Sequence, residues 1–217
     1  MAQINPQDAP YRTERLAMVR SQIEARGIAD ERVLEALRRV PRHAFLPLDL
    51  WSQAYEDYPL PIGPRQTISQ PYIVAFMAEA LGLNGLETVL EVGSGCGYAL
   101  AVVSMLCAEA RGIELIPELC EFSRERFAEL GFLNIRVHSG DGYAGWPEEA
   151  PFDAILLSCA APQIPPPLWD QLAQGGRILY PKGPEFGFQE LVLVTKTPEG
   201  PIVEHLEAVR FVPMRRG

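Results

Sequence analysis

The sequence contains few of the residues that bind metals or form disulfides. It has 4 cysteines and 3 histidines among 217 residues. No two cysteines form a Cys-x-x-Cys pair, and His43, His138 and His205 are not spaced as zinc ligands. We therefore expect a metal-free protein whose cysteines are reduced, as they are in the cytoplasm.

Long apolar runs are also missing. The longest, residues 98–108, is interrupted by Ser104 and is far shorter than the roughly 20 residues that a membrane-spanning helix needs. The first residues show no charged start followed by an apolar block, so nothing in them predicts export. These absences predict a cytoplasmic protein with no membrane partner.

Positive charge is scarce as well. The chain has 19 Lys and Arg against 28 Asp and Glu, a formal net charge of −9. Nucleic-acid binding depends on basic side chains that neutralise phosphates, so this balance argues against a nucleic-acid partner. The content of 47% hydrophobic and 22% charged residues is typical of a globular protein, and the length suits one domain with a sizeable core.

The first 84 residues predict helices and loops. A first helix is indicated by apolar residues at helical spacing: Leu16, Val19 and Ile23. A second helix follows Asp30, a residue type that commonly caps helices. Six prolines lie within residues 41–71, which predicts a long ordered loop of the kind that often carries function. A third helix is predicted over residues 69–81, with Pro71 in its first turn.

Residues 85–217 predict strands that alternate with helices. This order is typical of a largely parallel, doubly wound sheet with helices on both faces. Residues 154–157 are uniformly apolar, as expected for a strand buried on both surfaces. We predict one structural domain overall, in which the N-terminal region 1–84 packs on an α/β core formed by 85–217. The predicted strands are 89–92, 111–115, 135–138, 152–158, 176–181, 191–195 and 208–212.

A glycine loop between the first strand and its helix is the most distinctive local feature. Residues 91–98 read Glu-Val-Gly-Ser-Gly-Cys-Gly-Tyr. Ligands of open α/β sheets bind beyond the carboxyl ends of the strands, where glycines let a ligand approach the backbone. A dinucleotide fingerprint would need glycine in place of Tyr98, and no Gly-Lys-Ser/Thr follows as in a phosphate loop. Two interpretations remain: the loop of S-adenosylmethionine (SAM) methyltransferases, which it resembles, or a turn that only packs a helix on a strand.

Two acidic residues favour the first interpretation. Glu114 lies near the end of the second predicted strand, where an acidic side chain meets ribose hydroxyls in this architecture. Asp141, between two glycines after the third strand, is expected beside the adenine. Each alone is typical of an ordinary loop acid. Together with the glycine loop, they put three features at the ends of three neighbouring strands, which predicts one pocket.

The segment after the fourth predicted strand argues against a nucleic-acid substrate. Enzymes that methylate the exocyclic amino groups of bases usually carry Asn- or Asp-Pro-Pro-Tyr there. This chain has Ser-Cys-Ala-Ala-Pro at residues 158–162. We expect this segment to supply no side chain that would hold an amine.

Several segments together resemble the protein-L-isoaspartate O-methyltransferase family, whose members esterify abnormal isoaspartyl residues. The resemblance covers about residues 18–214, and its most specific part is Gln-Thr-Ile-Ser-Gln-Pro at 66–71. It implies a Rossmann-like SAM-dependent methyltransferase fold, with SAM as cofactor and S-adenosylhomocysteine as product. It also implies isoaspartyl peptides and proteins as substrates, and we expect a monomer. Further matching segments include 40–47, 55–63, 89–98, 140–142 and 209–213.

The resemblance implies roles for individual residues. Ser69 matches the family's active-site residue, although the residues alone favour a helix cap beside Pro71. The cofactor-binding residues that it implies are Ile68, Gln70, Pro71, Tyr72, Glu91, Gly93, Ser94, Gly95, Gly97, Glu114, Leu115, Asp141, Gly142 and Gln189, the last of which is expected to close over the pocket. The substrate-binding residues that it implies are Ile62, Gln66, Thr67, Arg210 and Val212.

The chain departs from the family pattern at three places. Arg65 stands where glycine is usual, Leu115 where Arg is common, and Ser158-Cys159 where a Thr-Ala pair is usual. Because Arg65 adjoins the substrate loop, its presence bears on peptide preference rather than on cofactor binding. Two other functions stay open: a SAM-dependent methyltransferase acting on a different carboxylate, and a module that binds SAM or damaged peptides without turnover.

Overall fold

A computed structural model of the protein describes residues 11–63 and 66–217. Two of the interpretations above fall outside these residues. The absence of an export signal concerns the first ten residues, and one departure from the family pattern concerns Arg65.

Nine strands form two sheets in the described part of the chain. A hairpin of β1 (Leu60–Gly63) and β2 (Gln66–Ile68) precedes a sheet of seven strands. The seven are β3 (Thr88–Val92), β4 (Glu109–Glu114), β5 (Ile135–Ser139), β6 (Phe152–Leu157), β7 (Leu172–Lys182), β8 (Gln189–Thr197) and β9 (Gly200–Val209). Their order is β5-β4-β3-β6-β7-β8-β9; the first five are parallel to one another, and β8 pairs antiparallel with both β7 and β9. The predicted mostly parallel sheet of about seven strands is confirmed.

Six α-helices accompany the sheets within residues 11–63 and 66–217. They are α1 (Arg12–Met18), α2 (Glu31–Arg39), α3 (Pro71–Leu81), α4 (Tyr98–Ser104), α5 (Pro117–Leu130) and α6 (Pro166–Gln171). Asp30 caps α2 as predicted, because its side chain accepts a hydrogen bond from the Arg32 N–H. Helix α3 ends at Gly82, whose φ of +57° is left-handed.

The core lies on both faces of the large sheet, since successive strand residues point to opposite sides. Ala154 and Leu156 pack with apolar residues of α3, α4 and α5, whereas Ile155 and Leu157 pack with α6 and the segment before it. Leu37 and other buried residues of the N-terminal region join the first of these clusters. The N-terminal region therefore shares its core with the sheet.

The N-terminal prediction was wrong in one detail. Leu16, assigned to the buried face, is 36% exposed. Arg15 is buried instead, and its Nε donates a hydrogen bond to the Arg38 carbonyl at 2.7 Å, which compensates its burial. A π-helical turn at Val19–Ile23 and a 3-10 turn at Glu24–Arg26 then continue the chain to Gly27.

Two segments differ from the strand-and-loop prediction. The proline-rich stretch contains 3-10 turns at Arg42–Phe45 and Leu48–Gln53 as well as the β1–β2 hairpin. The last strand was placed wrongly at 208–212, since β9 ends at Val209. Strand β9 is an edge strand whose residues are mostly exposed, so it lacks the apolar run by which buried strands are recognised.

The cysteines and His43 are buried. All four cysteines are buried and free. The His43 ring stacks on Tyr11 with centroids 4.6 Å apart, and its Nδ1 shares a hydrogen bond with the Tyr55 hydroxyl at 2.7 Å. Within residues 11–63 and 66–217, no helix combines the length and the apolar character required to cross a membrane.

Candidate active site

A cavity opens where the strand order reverses. The chain proceeds from β3 through β4 to β5 on one side and then returns to β6 on the other side of β3. Ligands of α/β sheets bind at such a point, outside the carboxyl ends of the strands. The cavity, called the first cavity below, is lined by the β1–β2 hairpin, the glycine loop, residues 113–116, Gly142, residues 158–159 and the C-terminal residues 212–215.

The glycine loop brings backbone to this cavity. Gly93 and Gly95 have φ of +77° and +55°, and both line the cavity. The Gly93 and Ser94 N–H groups donate to the Ile113 carbonyl at 2.8 and 3.1 Å, which ties the loop to β4. A Cβ at position 93 would lie 3.3 Å from Cys159 Sγ. Glycine therefore keeps this wall open to a ligand.

The third glycine has a different task. Gly97 does not line the first cavity, and its φ is +93°. A Cβ there would lie 2.4 Å from the Phe127 ring. The loop thus combines both interpretations made from the sequence, because two glycines face the cavity and the third lets α4 approach α5.

Glu114 lines the cavity at the end of β4, as predicted. It is 6% exposed, and its carboxylate accepts hydrogen bonds from the Gly95 N–H at 2.7 Å and from the Ile116 N–H at 2.9 Å. Asp141 does not line the cavity; its Oδ1 accepts from the Tyr143 N–H at 2.9 Å. Glu114 at the end of β4 therefore contributes to the wall, whereas Asp141 after β5 stabilises its own turn.

Glu91 is the most unusual group in the wall. It is 1% exposed, its Oε1 accepts a hydrogen bond from the Ser158 hydroxyl at 2.5 Å, and its Oε2 has no partner within the described part of the chain. The pKa of Glu91 is raised to about 8, chiefly by burial; the Ser158 hydrogen bond opposes the shift, and the nearby Glu114 charge adds to it. A buried carboxyl oxygen without a partner suits a ligand that brings a cationic donor, beside which the carboxyl would ionise.

Ser158 is a site residue that the sequence interpretation missed. We expected its segment to contribute no side chain that would hold an amine, yet its hydroxyl holds Glu91 and it lines the first cavity. Its position directly after β6, beside the carboxyl end of β3, was the available signal.

Ser69 lies at the junction of the first cavity and a second groove, and it lines both. The helix-cap interpretation of Ser69 is wrong: the N-cap residue of α3 is Gln70, and its side chain makes no capping hydrogen bond. The Ser69 hydroxyl makes no hydrogen bond to any described residue, while its carbonyl accepts one from Arg42 at 3.0 Å. The hydroxyl is therefore free to bind a ligand.

The second groove is lined by Pro59, Thr67, Ser69, Gln70, Ile73, Ser158 and residues 187–189 and 208–212. Gln189 belongs to this groove rather than to the first cavity. It is 2% exposed, and its side chain accepts from the Phe211 N–H at 2.7 Å and donates to the Phe211 carbonyl at 3.2 Å. Gln189 thus holds the C-terminal segment in place beside Ser69.

Most of the residues that the resemblance implied come together. Those that line the first cavity are Ile62, Gln66, Thr67, Ile68, Ser69, Glu91, Gly93, Ser94, Gly95, Glu114, Leu115, Gly142 and Val212. Those that line only the second groove are Gln70, Gln189 and Arg210. Those that line neither are Pro71, Tyr72, Gly97 and Asp141.

Among the described residues, the side chains of the two cavities that could accept a proton near neutral pH are the carboxyl groups of Glu91 and Glu114. No histidine lines either of them in the part of the chain that the structure describes. Burial raises the pKa of Cys96 and of Cys159 to about 12, so both thiols stay protonated near neutral pH. The arrangement suits a reaction whose acceptor is already ionised and whose donor is a cation.

The sheet order, the glycine loop and the acids at the ends of β3 and β4 define a Rossmann-like, SAM-dependent methyltransferase. A family model described as protein-L-isoaspartate(D-aspartate) O-methyltransferase (PCMT) matches residues 13–217. The chain belongs to this family.

Individual relatives agree with this assignment. The chain is 62% identical over 205 residues to protein-L-isoaspartate O-methyltransferase 2 of Anaeromyxobacter sp. (strain Fw109-5), across 94% of this chain and 84% of that protein. A solved protein-L-isoaspartate O-methyltransferase is 28% identical with a TM-score of 0.82, covering 93% of this chain and 65% of that one. A Plasmodium falciparum structure, solved with S-adenosyl-L-homocysteine, has a TM-score of 0.81 over 94% of this chain and 99% of that one; at 24% identity it shows the fold alone.

Proposed function

We propose that the chain transfers a methyl group from SAM to the free α-carboxylate of L-isoaspartyl residues in damaged peptides and proteins, which initiates their repair. The observation that carries this function beyond family membership is the position of Ser69. Its unbonded hydroxyl lies where the first cavity meets the second groove. A donor in the first cavity and a peptide in the second groove would meet at this residue.

The first cavity fits SAM. The unpartnered Glu91 Oε2 is a buried acceptor suited to the ligand's ammonium group, and Gly93 and Gly95 allow close approach of the ligand to the backbone. Glu114 adds a second carboxylate to the same wall. When bound, SAM supplies an activated methyl group on a positively charged sulfur. An acidic wall favours such a cation.

The acceptor needs no base. An isoaspartyl residue has a free α-carboxyl, whose pKa is about 3.3 to 3.7, so it is an anion at neutral pH. A reaction between a cation and an anion that yields neutral products is favoured when water is removed. Good alignment alone can supply roughly 7 to 11 kcal/mol of the acceleration. The absence of a catalytic histidine among the lining residues is consistent with this chemistry.

The chain therefore acts mainly by orienting the acceptor and excluding water. Ser69 donates a hydrogen bond to the acceptor carboxylate, assisted by the backbone of the C-terminal segment. That segment is anchored over the cavity because the Ala160 N–H donates to the Val212 carbonyl and the Met214 N–H donates to the Ala160 carbonyl, both at 2.8 Å. Arg210, an exposed cation in the second groove, favours an anionic substrate there.

The same proposal covers the organisation of the protein. Residues 1–84 carry the substrate loop on a SAM-binding core of 85–217, and the two regions form one structural domain. The enzyme acts as a monomer in the cytoplasm on isoaspartyl-containing peptides and proteins, and not on nucleic acid. The β1–β2 hairpin, which lines the first cavity, supports the substrate-loop assignment, and the net charge of −9 argues against a nucleic-acid substrate.

The test uses the whole protein with labelled SAM and two peptides that differ only in Asp or isoAsp. Base-labile label on the isoAsp peptide alone is expected. Equal labelling of both peptides would indicate a methyltransferase for another carboxylate, and SAM binding without any labelling would indicate a binding module. An Arg65→Gly variant, assayed in parallel, reports whether that departure from the family pattern alters peptide preference.

A further inference from the structure

Arg42 is a buried cation whose guanidinium binds three backbone carbonyls. It is fully buried, and its guanidinium donates to the carbonyls of Ala54 at 2.5 Å, Tyr58 at 3.2 Å and Ser69 at 3.0 Å. No carboxylate lies within 4 Å of it in the described chain. Burying an unpaired charge is costly, so an arginine here indicates a requirement that an apolar side chain would not meet.

Asp57 binds residues that directly follow Ser69 in the chain. One carboxylate oxygen accepts from the Tyr72 N–H at 3.0 Å, and the other accepts from the Gln70 side-chain amide at 2.8 Å and from Arg26 at 2.6 Å. Asp57 therefore caps the first turn of α3, which has no cap from its own N-terminal residue. Arg42 therefore holds the Ser69 carbonyl, and Asp57 holds the Gln70 side chain and the Tyr72 N–H that follow it.

We propose that Arg42 and Asp57 are positioning residues for the Ser69 hydroxyl. Neither side chain lines the first cavity or the second groove, so both act through the backbone that carries Ser69. The segment 54–58 is their common support: Arg42 binds two of its carbonyls, and Asp57 belongs to it. This inference rests on the proposed role of Ser69 in methyl transfer to an isoaspartyl carboxylate.

Arginine suits this task for a geometric reason. A guanidinium is a planar fork that can serve several carbonyls in fixed directions, whereas a lysine ammonium is a single point on a flexible stem. Arg42→Lys therefore keeps the charge but not the simultaneous hold on Ala54, Tyr58 and Ser69. Asp57→Asn keeps the size, and its amide oxygen can still accept from Tyr72, but its NH₂ group opposes the Gln70 and Arg26 donors.

The test is a double-mutant cycle measured on the isoAsp peptide, with Ser69→Ala as the second substitution. In the wild-type background, we expect Arg42→Lys and Asp57→Asn each to lower kcat about tenfold, within the roughly 100-fold that a 1 Å misplacement costs. In the Ser69→Ala background, the same substitutions should change kcat less than about twofold, because the group that they position is gone. Calorimetric affinity for S-adenosylhomocysteine should stay within about twofold throughout.

Arg111→Lys is the matched control, because Arg111 is another buried arginine that holds Glu149, Glu109 and a backbone carbonyl away from both cavities. It should lower thermal stability without lowering kcat. Equal loss of kcat in both Ser69 backgrounds would overturn the proposal, as would unchanged kcat in Arg42→Lys and Asp57→Asn. If Arg42→Lys does not fold, Asp57→Asn decides the question. An inactive wild type would instead refute the proposed function.

Discussion

The first cavity and the second groove share Ser69 but are built from different kinds of structure. The first cavity is walled mainly by turns that follow parallel strands, and its glycine loop is bonded to the neighbouring strand through Ile113 and Glu114. The second groove is walled by a hairpin, the β7–β8 turn and the C-terminal segment. The Gln189 side chain joins the β7–β8 turn to the C-terminal segment, which two backbone bonds also tie to Ala160.

This difference indicates which substitutions will damage which ligand. Changes in the glycine loop act on regular structure and should affect folding and SAM together. Changes in the groove act on turns and on the C-terminal segment, which lie outside the large sheet. They should affect peptide binding or turnover while the fold and SAM affinity persist.

The largest effect is expected from Gly97→Ala. The new Cβ would lie 2.4 Å from the Phe127 ring, at a φ of +93°. Backbone strain and overpacking together should lower the free energy of unfolding by about 2 to 4 kcal/mol, as measured with urea. Gly131→Ala is the matched control, since its φ is +74° but nothing lies within 4 Å; it should cost only about 1 kcal/mol. Equal losses would show that close packing is not why residue 97 is glycine.

Ser69→Ala should separate turnover from cofactor binding. Removal of a hydrogen bond that orients the reacting carboxylate should lower kcat by about tenfold to 100-fold. Affinity for S-adenosylhomocysteine should change little, because the first cavity retains Glu91 and its glycines. Single-turnover kinetics and calorimetry measure the two effects. Ser21→Ala, on an exposed part of the N-terminal helical segment, serves as control, and an unchanged kcat in Ser69→Ala would remove Ser69 from the mechanism.

Glu91→Gln should change how stability depends on pH. In the ligand-free protein, burial raises the pKa of Glu91 from 4.5 to about 8, so the folded state retains a proton that the unfolded state has lost between these values. The wild type should therefore lose up to about 1.4 kcal/mol of stability per pH unit, relative to Glu91→Gln, as pH rises from 4.5 to 8. Urea titrations at pH 5, 6, 7 and 8 measure this difference.

Ser158→Ala extends that experiment. The Ser158 hydroxyl favours the ionised form of Glu91, so its removal should raise the pKa of Glu91 and extend the pH window upward. Parallel stability curves for the wild type and Glu91→Gln would contradict the assignment of a proton to Glu91.

The smallest effect is expected from Gln189→Ala. Loss of its bonds to Phe211 and Pro184 should loosen the C-terminal segment and raise KM for the isoAsp peptide by about fivefold, as for a hydrogen bond worth about 1 kcal/mol. Affinity for S-adenosylhomocysteine should change less than about twofold. A weaker affinity for S-adenosylhomocysteine with an unchanged KM would instead indicate that Gln189 acts in cofactor binding, as the family resemblance implied.

Much of the first cavity was predictable because its signals are local. The glycine loop, Glu91 and Glu114 each follow or end a strand, and parallel strands bring their carboxyl ends to one edge. Asp141 satisfied the same rule but turned back on Tyr143, since a short acid after a strand can bond its own turn. The rule predicts which residues reach the edge, not which of them face the ligand.

The second groove was less predictable, because its residues meet across long distances in the chain. Gln189 and Phe211 are bonded to each other, although neither carries a motif of its own. Edge strand β9 lacked the buried apolar run, so the C-terminal segment was mistaken for a strand. No local signal in the sequence marks Arg42 and Asp57 as structural groups beside Ser69, since a charged residue in a loop is usually solvated.

Sequence alone therefore determined the class of sheet, the glycine loop that faces the donor and the family to which the chain is similar, because each depends on residues close together in the chain. Only the tertiary structure decided how the two cavities are lined and held: a carboxyl group left with an unpartnered oxygen, a C-terminal segment held by Gln189, and the buried arginine on the Ser69 carbonyl. These contacts depend on burial and direction in three dimensions, which residue types and spacing do not encode locally.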